Sequence, residues 1–210
     1  STTKYTSADG LQSTNLTAVA VDKNGDVWTG TAAGIIHVLT PATGKWRYVT
    51  DLASTNQTNK RINNIASYGD TLLISSGFGL SVFRISRFQF GDTYTKFGSL
   101  SGSVRVSVAS AAIYKGKLWA TVTDGLTTHR IAQASLSLPN LLPAEAWTLQ
   151  SLGGTTPNQL ALFNSKLYAA TSGGLFVLND SVWNTVDSLS GRNIAAIAPS
   201  SNLLGIVDVL

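Results

Sequence analysis

Short runs in which apolar and polar residues alternate recur along most of the chain, at Leu16–Val21 and at 62–67, 108–113 and 158–163. A period of two turns one face of a strand to a core and the other to water. No useful window keeps apolar residues at i, i+3, i+4 and i+7, so a helical reading fails. Each run is followed by turn residues: Lys23-Asn24-Gly25, Tyr68-Gly69-Asp70, Lys115-Gly116 and Asn164-Ser165. Asn-Gly between alternating runs signals a hairpin, because turns that match strand twist need positive φ.

The runs belong to a repeat. A large residue precedes a glycine by six positions at Trp28 and Gly34, Leu73 and Gly79, Trp119 and Gly125, and Tyr168 and Gly174, with the anchors 45, 46 and 49 residues apart. In each copy the anchor lies on a second strand, a third strand begins just after the glycine, and a fourth carries Trp46, Tyr94, Trp147 or Trp183. The recurrent glycine is read as supplying a backbone angle that a Cβ forbids. A four-stranded sheet cannot bury both faces alone, so neighbouring sheets must stack, with Trp28, Trp119 and Tyr168 in the core between them.

The fold class expected is therefore all-β, a β-propeller of four-stranded antiparallel blades with four whole blades and a fifth that is incomplete or closed by both termini. The whole of 1–210 reads as one propeller domain or a propeller fragment, with units at about 15–52, 62–100, 106–152 and 157–189 and a half-unit at 193–210. Lys4-Tyr5-Thr6 reads as an outer strand. A chain without Met is expected to be a processed or excised one, and a half-unit that stops at Leu210 suggests part of a longer propeller.

Composition narrows the function. Among 210 residues the hydrophobic fraction is 43% and the charged fraction 12%, the balance of a folded, strand-rich chain and not of a disordered one. Net charge is +4, but beyond Lys60-Arg61 the basic residues are scattered. Nucleic-acid binding, which needs a dense basic stripe, is not expected. Without Cys, disulfides and thiol chemistry are excluded. The longest apolar stretches, such as 203–210, are too short to span a bilayer, and no signal peptide is apparent.

Asn15, Leu16, Val19, Asp22, Gly25, Val27, Trp28, Gly30, Thr31, Gly34 and Ile35 follow a recognisable order. On these residues the chain resembles the two-component regulator propeller repeats of bacterial periplasmic and surface proteins. Later copies keep the anchor and a hydroxyl residue but lose the first glycine, as in Leu73-Ile74-Ser75-Ser76 and Trp119-Ala120-Thr121. The resemblance implies a ligand-sensing ectodomain or a surface propeller tied to type IX secretion.

Catalytic chemistry finds little support. Glu145 is the one Glu, which removes a Glu-based acid and base pair. Asp22, Asp26, Asp70, Asp92 and Asp180 read as turn residues that cap local backbone. His37 and His129 fall on third strands of different units, so neither a catalytic residue, a metal site nor a cofactor is assigned. Asp22, Asn24 and Asp26 imitate the start of a calcium loop, but the glycine stands at the fourth position and no bidentate Glu follows. The acceptor triplets at Asn15, Asn56 and Asn179 are what chance supplies in a chain rich in Asn, Ser and Thr.

Departures from the repeat supply the candidate binding residues. The polar segment 53–61 ends in Lys60 and Arg61, and Arg105 and Arg192 stand just ahead of first strands elsewhere, so a weak basic ring at a ligand face is one expectation. The other is the hairpin between the third and fourth strands of unit three, where Gly125 to Trp147 spans 22 residues against 12 from Gly34 to Trp46. Its Leu136, Leu138, Leu141 and Leu142 must fold back on the blade or meet another chain. The reading is a non-enzymatic binding or scaffold module, extracytoplasmic (periplasmic, secreted or at the cell surface), for an unidentified protein or glycan. A carbohydrate-active propeller enzyme and a structural subunit of a larger surface assembly, completed by another chain or a missing segment, are the alternatives.

Overall fold

The computed structural model describes residues 3–100, 106–125 and 127–209. Its chain divides into two compact units, 1–93 and 94–210.

In the first unit β1 (Leu16–Val21), β2 (Val27–Thr31), β3 (Ile36–Thr40) and β4 (Lys45–Val49) form one antiparallel meander. A second follows, with β5 (Ile62–Tyr68), β6 (Thr71–Ser76), β7 (Gly79–Arg84) and β8 (Gln89–Tyr94). β1 and β2 pack on β5. Between the sheets Trp28, Ile36, Val38, Ile62, Leu72, Ile74 and Phe83 are buried together, and the rings of Trp28 and Phe83 meet edge to face at 5.2 Å. Such pairs add about 0.5–1.5 kcal/mol beyond area burial.

Two details of the first sheet follow from its motif. Asp22 Oδ1 accepts the backbone N–H of Asn24 (2.8 Å) and of Asp26 (3.1 Å), while Oδ2 accepts the Trp28 indole N–H at 2.8 Å. One buried carboxylate thus closes the hairpin turn and fixes the anchor. Gly30 lies under the neighbouring sheet, where a Cβ would stand 2.4 Å from Ile62 Cγ2. No side chain fits between the sheets at that point.

The second unit holds β9 (Ser107–Tyr114), β10 (Lys117–Thr123), β11 (His129–Ser135) and β12 (Thr148–Gln150) in one sheet, and β13 (Pro157–Phe163), β14 (Lys166–Thr171), β15 (Gly174–Asn179) and β16 (Val182–Thr185) in the next. A two-stranded sheet of β17 (Ile194–Pro199) and β18 (Leu204–Asp208) completes it. β13 packs on both β9 and β17, and Ala170, Leu175, Ile194 and Ile197 form the apolar layer toward the last pair.

Polar side chains stitch neighbouring first strands to one another. Ser110 Oγ accepts the Leu160 N–H at 3.1 Å, Asn158 Nδ2 donates to the Ile194 carbonyl at 2.8 Å, and Gln159 Oε1 accepts the Ile197 N–H at 3.0 Å. In the first unit the Thr17 hydroxyl donates to the Ile62 carbonyl at 2.5 Å. These bonds satisfy backbone groups left over at bulges and strand edges.

The all-β propeller architecture and the incomplete fifth sheet are as the repeat predicts; of the anchors, Trp28, Leu73 and Trp119 are buried as expected, while Tyr168 is half-buried. The recurrent Gly34, Gly79, Gly125 and Gly174 all take positive φ. Four local expectations are corrected. Lys4-Tyr5-Thr6 is not a strand, because the Thr6 N–H goes to Asp9 Oδ2 and caps a 3₁₀ turn at Ser7–Asp9. Trp147 precedes β12, its N–H being spent on the 3₁₀ turn Ala144–Ala146. Asp92 lies within β8, since Gly91 takes no positive φ and the strand runs through it. The third strand of unit three starts at His129, four residues beyond Gly125, and Leu126 lies outside the described residues.

Candidate functional site

The sequence-derived candidates behave differently from one another. Segment 53–61 is seated on the first unit. A Cβ on Gly77 would strike Asn59 at 2.2 Å, and one on Gly34 would meet Ala53 and Lys60 at 3.1 Å. Lys60 Nζ donates to the Ala53 carbonyl at 2.6 Å, which ties the ends of the loop together, while Arg61 stays exposed. Arg192 is in the second unit and binds Asp208 across the β17–β18 hairpin through Nε (2.5 Å) and Nη2. Arg105 lies outside the described residues.

The four leucines separate. Leu141 is buried, and its carbonyl accepts the Trp147 indole N–H at 2.9 Å. Leu136, Leu138 and Leu142 remain 44%, 43% and 46% exposed. One leucine thus folds back on the blade and three stand out from it.

The carboxylates of the calcium-like turn are drawn into protein contacts. The oxygens of Asp22 are engaged as described, and Asp26 Oδ2 pairs with Arg47 at 2.6 Å while that guanidinium lies 4.4 Å above the Phe88 ring. Asp70 is held at a pKa of about 2, first by the Ser86 hydroxyl (2.6 Å) and then by Lys23 (2.9 Å). His37 is fully buried on β3, and burial lowers its pKa below the ordinary 6.5. Among the described residues no group of three or more His, Cys, Asp or Glu could hold a metal.

The site that residue-level reading missed lies in the second unit. A cleft of about 400 Å³ opens where β9, β10, β11, β13 and β17 come together, lined among others by Thr121, Thr123, His129, Thr156, Asn158 and Asn193. Thr121 and Asn158 are braced. Thr121 Oγ1 accepts the Ser110 N–H at 2.9 Å, and Asn158 donates to Ile194. Thr123, His129 and Asn193 reach the cleft from strand ends and are half-buried or exposed. The lining offers hydroxyls, amides and one imidazole, a set that can give and accept hydrogen bonds from a neutral or weakly charged ligand. The signal available in sequence was slight: polar residues at the mouths of otherwise apolar first strands, and His129.

Four-stranded antiparallel sheets repeated along the chain, with a polar cleft at the ends of first strands, define a β-propeller domain. Residues 1–148 match the N-terminal β-propeller domain of PorZ from the type IX secretion system (TSS9), and the chain belongs to that family. PorZ of Porphyromonas gingivalis, an essential surface component of that system, superposes with a TM-score of 0.76 at 19% identity over 97% of this chain and 26% of its own. The extracellular domain of the putative one-component system BT4673 from B. thetaiotaomicron gives 0.65 at 18% identity over 89% of this chain and 25% of its own. The Cps50 (Swd1) propeller of Myceliophteria thermophila gives 0.62 at 13% identity over 91% of this chain and 60% of its own. This chain therefore spans about a quarter of the first two proteins. No curated protein matches it in sequence. Among the described residues no helix is long and apolar enough to cross a membrane.

Proposed function

We propose that this chain is a non-enzymatic binding module of an extracytoplasmic type IX secretion component, and that the polar cleft of its second unit receives the partner. The observation that carries the reading is the cleft itself: Thr123, His129, Thr156, Asn158 and Asn193 converge from strands of three successive sheets. Propeller sites are assembled in this way, from residues that a rigid scaffold presents at strand ends. Lys60, Arg61, Arg105 and Arg192 remain separate, weaker candidate positions. Membership of a secretion family and likeness to the extracellular domain of a putative one-component system support the location.

The test is made in the full-length protein in its own cells. Thr123→Lys combined with Asn158→Lys fills the cleft with bulk and charge, and a fourfold alanine variant at the basic positions serves as comparison. Secretion of type IX cargo should fall in the cleft variant while the variant's own abundance and surface exposure are unchanged. Full secretion with the cleft filled refutes the cleft. Turnover of surface glycans by the purified protein, abolished by His129→Ala, would establish the enzyme instead.

The exposed Leu136, Leu138 and Leu142 favour a second reading, a structural subunit whose rim meets another chain. Changing these three leucines to Ser would then lower the solution mass of the native assembly and leave the cleft's function intact.

A further inference from the structure

We propose that residues 5–12 form a proton-released strap: they lie closed over the first sheet while His37 is neutral, and come away when it takes up a second proton. The contacts set this requirement. The Gln12 backbone N–H donates to His37 Nε2 at 3.1 Å, and His37 Nδ1 lies 3.3 Å from Thr29 Oγ1. An imidazole that accepts at Nε2 must be neutral and carry its hydrogen on Nδ1, so it donates to Thr29. A second proton would set N–H against N–H.

The rest of the strap is held by a hydroxyl, by ring packing and by its own capping. The Tyr48 hydroxyl donates to the Gly10 carbonyl at 2.5 Å, and Tyr5 stands edge-on to Trp46 at 5.7 Å. Gly10, at φ 117, approaches Trp46 so closely that a Cβ would lie 2.6 Å from its Cδ1. Thr6 and Asp9 close a capping box within the strap. Among the described residues His37 is the imidazole between strap and sheet, and its hydrogen bond to the strap depends on its protonation.

Among the described residues few groups face His37. They are the Thr29 hydroxyl from β2, the Trp46 and Tyr48 rings from β4 at 6.3 and 5.8 Å, and the Gln12 amide. Tyr48 is the titratable one among them. Arg47, between Trp46 and Tyr48 in sequence but on the opposite face of β4, engages Asp26 and Phe88 instead. Asp9, the strap's carboxylate, is bound by Thr6, whose hydrogen bonds hold it below its usual range. Burial alone lowers the His37 pKa, so no carboxylate compensates its charge. At the matching register positions of the other complete sheets stand Ser81, Ala132 and Phe176, none of which titrates.

The sign follows from linkage. Closed, the imidazole titrates below 6.5; open, it returns to about 6.5. Closure is therefore fully supported above pH 6.5 and weakens as pH falls, the open-to-closed ratio rising about tenfold per pH unit until the closed-state pKa is passed. Release uncovers the outer part of a sheet face whose inner part already shows Val19 and Val21 at 67% and 59% exposure.

Two-dimensional NMR of the protein between about pH 7.5 and about pH 5 tests this. The Gln12 amide and the Trp46 indole should move together to solvent-exposed positions as pH falls, with the opening ratio rising and the β5–β8 signals unmoved. His37→Gln, whose Oε1 accepts the same N–H without titrating, should hold the strap throughout. Tyr48→Phe keeps His37 and removes one tether, so its release should come at higher pH; it decides the matter if His37→Gln does not fold. The proposal is overturned by a strap that stays closed at about pH 5, by release of His37→Gln at the wild-type pH, by release in Tyr48→Phe no earlier than in wild type, or by unfolding of the whole first unit with the same midpoint.

Discussion

Gly30→Ala tests whether the sheets of the first unit are spaced by a missing side chain. The new Cβ would stand 2.4 Å from Ile62 Cγ2, 2.6 Å from Ile62 Cβ and 3.2 Å from Cγ1. Contacts under about 3 Å force movement, and Ile62 has nowhere to go. It is fully buried, its carbonyl is bound by Thr17 at 2.5 Å, and it pairs with Ser76 on β6. Overpacking a filled core costs roughly 1–3 kcal/mol, and the pinned backbone argues for the upper half, about 2–3 kcal/mol. For a chain of this size that is a fall in Tm of about 4–12 °C. Thermal unfolding followed by near-ultraviolet circular dichroism measures it, because Trp28 sits in the same layer. Ile62→Ala alone should cost about 2–5 kcal/mol. In the double variant the contacts with Cγ1 and Cγ2 are gone and the one with Cβ remains, so the loss should fall short of the sum by about 1 kcal/mol. A Gly30→Ala protein that melts within about 1 °C of wild type, or a strictly additive double variant, refutes the spacing argument.

Asp22→Ala strands the Trp28 indole N–H and frees two turn amides, so a loss of about 2–4 kcal/mol is expected in urea denaturation; Asp22→Asn recovers part of it, because its carbonyl still serves the turn. Leu141→Ala should cost about 2–5 kcal/mol, whereas Leu138→Ala should stay within about 0.5 kcal/mol, since the first is buried and the second is not; equal effects in denaturation would show the rim segment to be packed otherwise. Asp70 should remain ionised well into acid: its contribution is present above its ordinary 3.8 and lost as pH falls through about 2, and a carboxyl NMR titration should show Ser86→Ala raising that value more than Lys23→Ala does.

The repeat was legible because the period of large anchors and positive-φ glycines is a property of sequence distance alone. Trp28 and Gly34, Trp119 and Gly125 announce their sheets without any tertiary knowledge. Ser110, Asn158 and Gln159 were not legible. A polar residue on an alternating strand reads the same whether it faces water or a carbonyl of the next sheet. Arg192 looked like a free charge at a strand entrance because Asp208, its partner, lies 16 residues on, across a hairpin. The cleft was hidden for the same reason. Thr123 and His129 come from one sheet, Thr156 and Asn158 from the start of β13 and Asn193 from the entrance to β17, and only the stacking of sheets brings them to one opening.

The fading of the motif after the first sheet has a cause in turn length. β1 and β2 are joined by the five residues from Asp22 to Asp26; the Asp22 N–H bonds the Asp26 carbonyl at 3.0 Å, and the Asp22 carboxylate takes the two amides left inside the turn and in doing so acquires the Trp28 indole. β9 and β10 are joined by Lys115 and Gly116, and β13 and β14 by Asn164 and Ser165, each pair with both residues at positive φ. A two-residue turn of that kind matches strand twist by itself and needs no carboxylate. Its anchor is then released from the pairing: the Trp119 indole turns to the Tyr114 carbonyl at 3.3 Å, and at the next anchor Tyr168 serves. The first glycine goes for a related reason. Where Gly30 faces the branched Ile62, Thr121 instead reaches back to Ser110 within its own sheet, and the small, fully buried Ala170 packs with Ile194. What persists through every complete sheet is the pair of features that no neighbour can replace, a large residue between sheets and a glycine where the chain turns into its third strand.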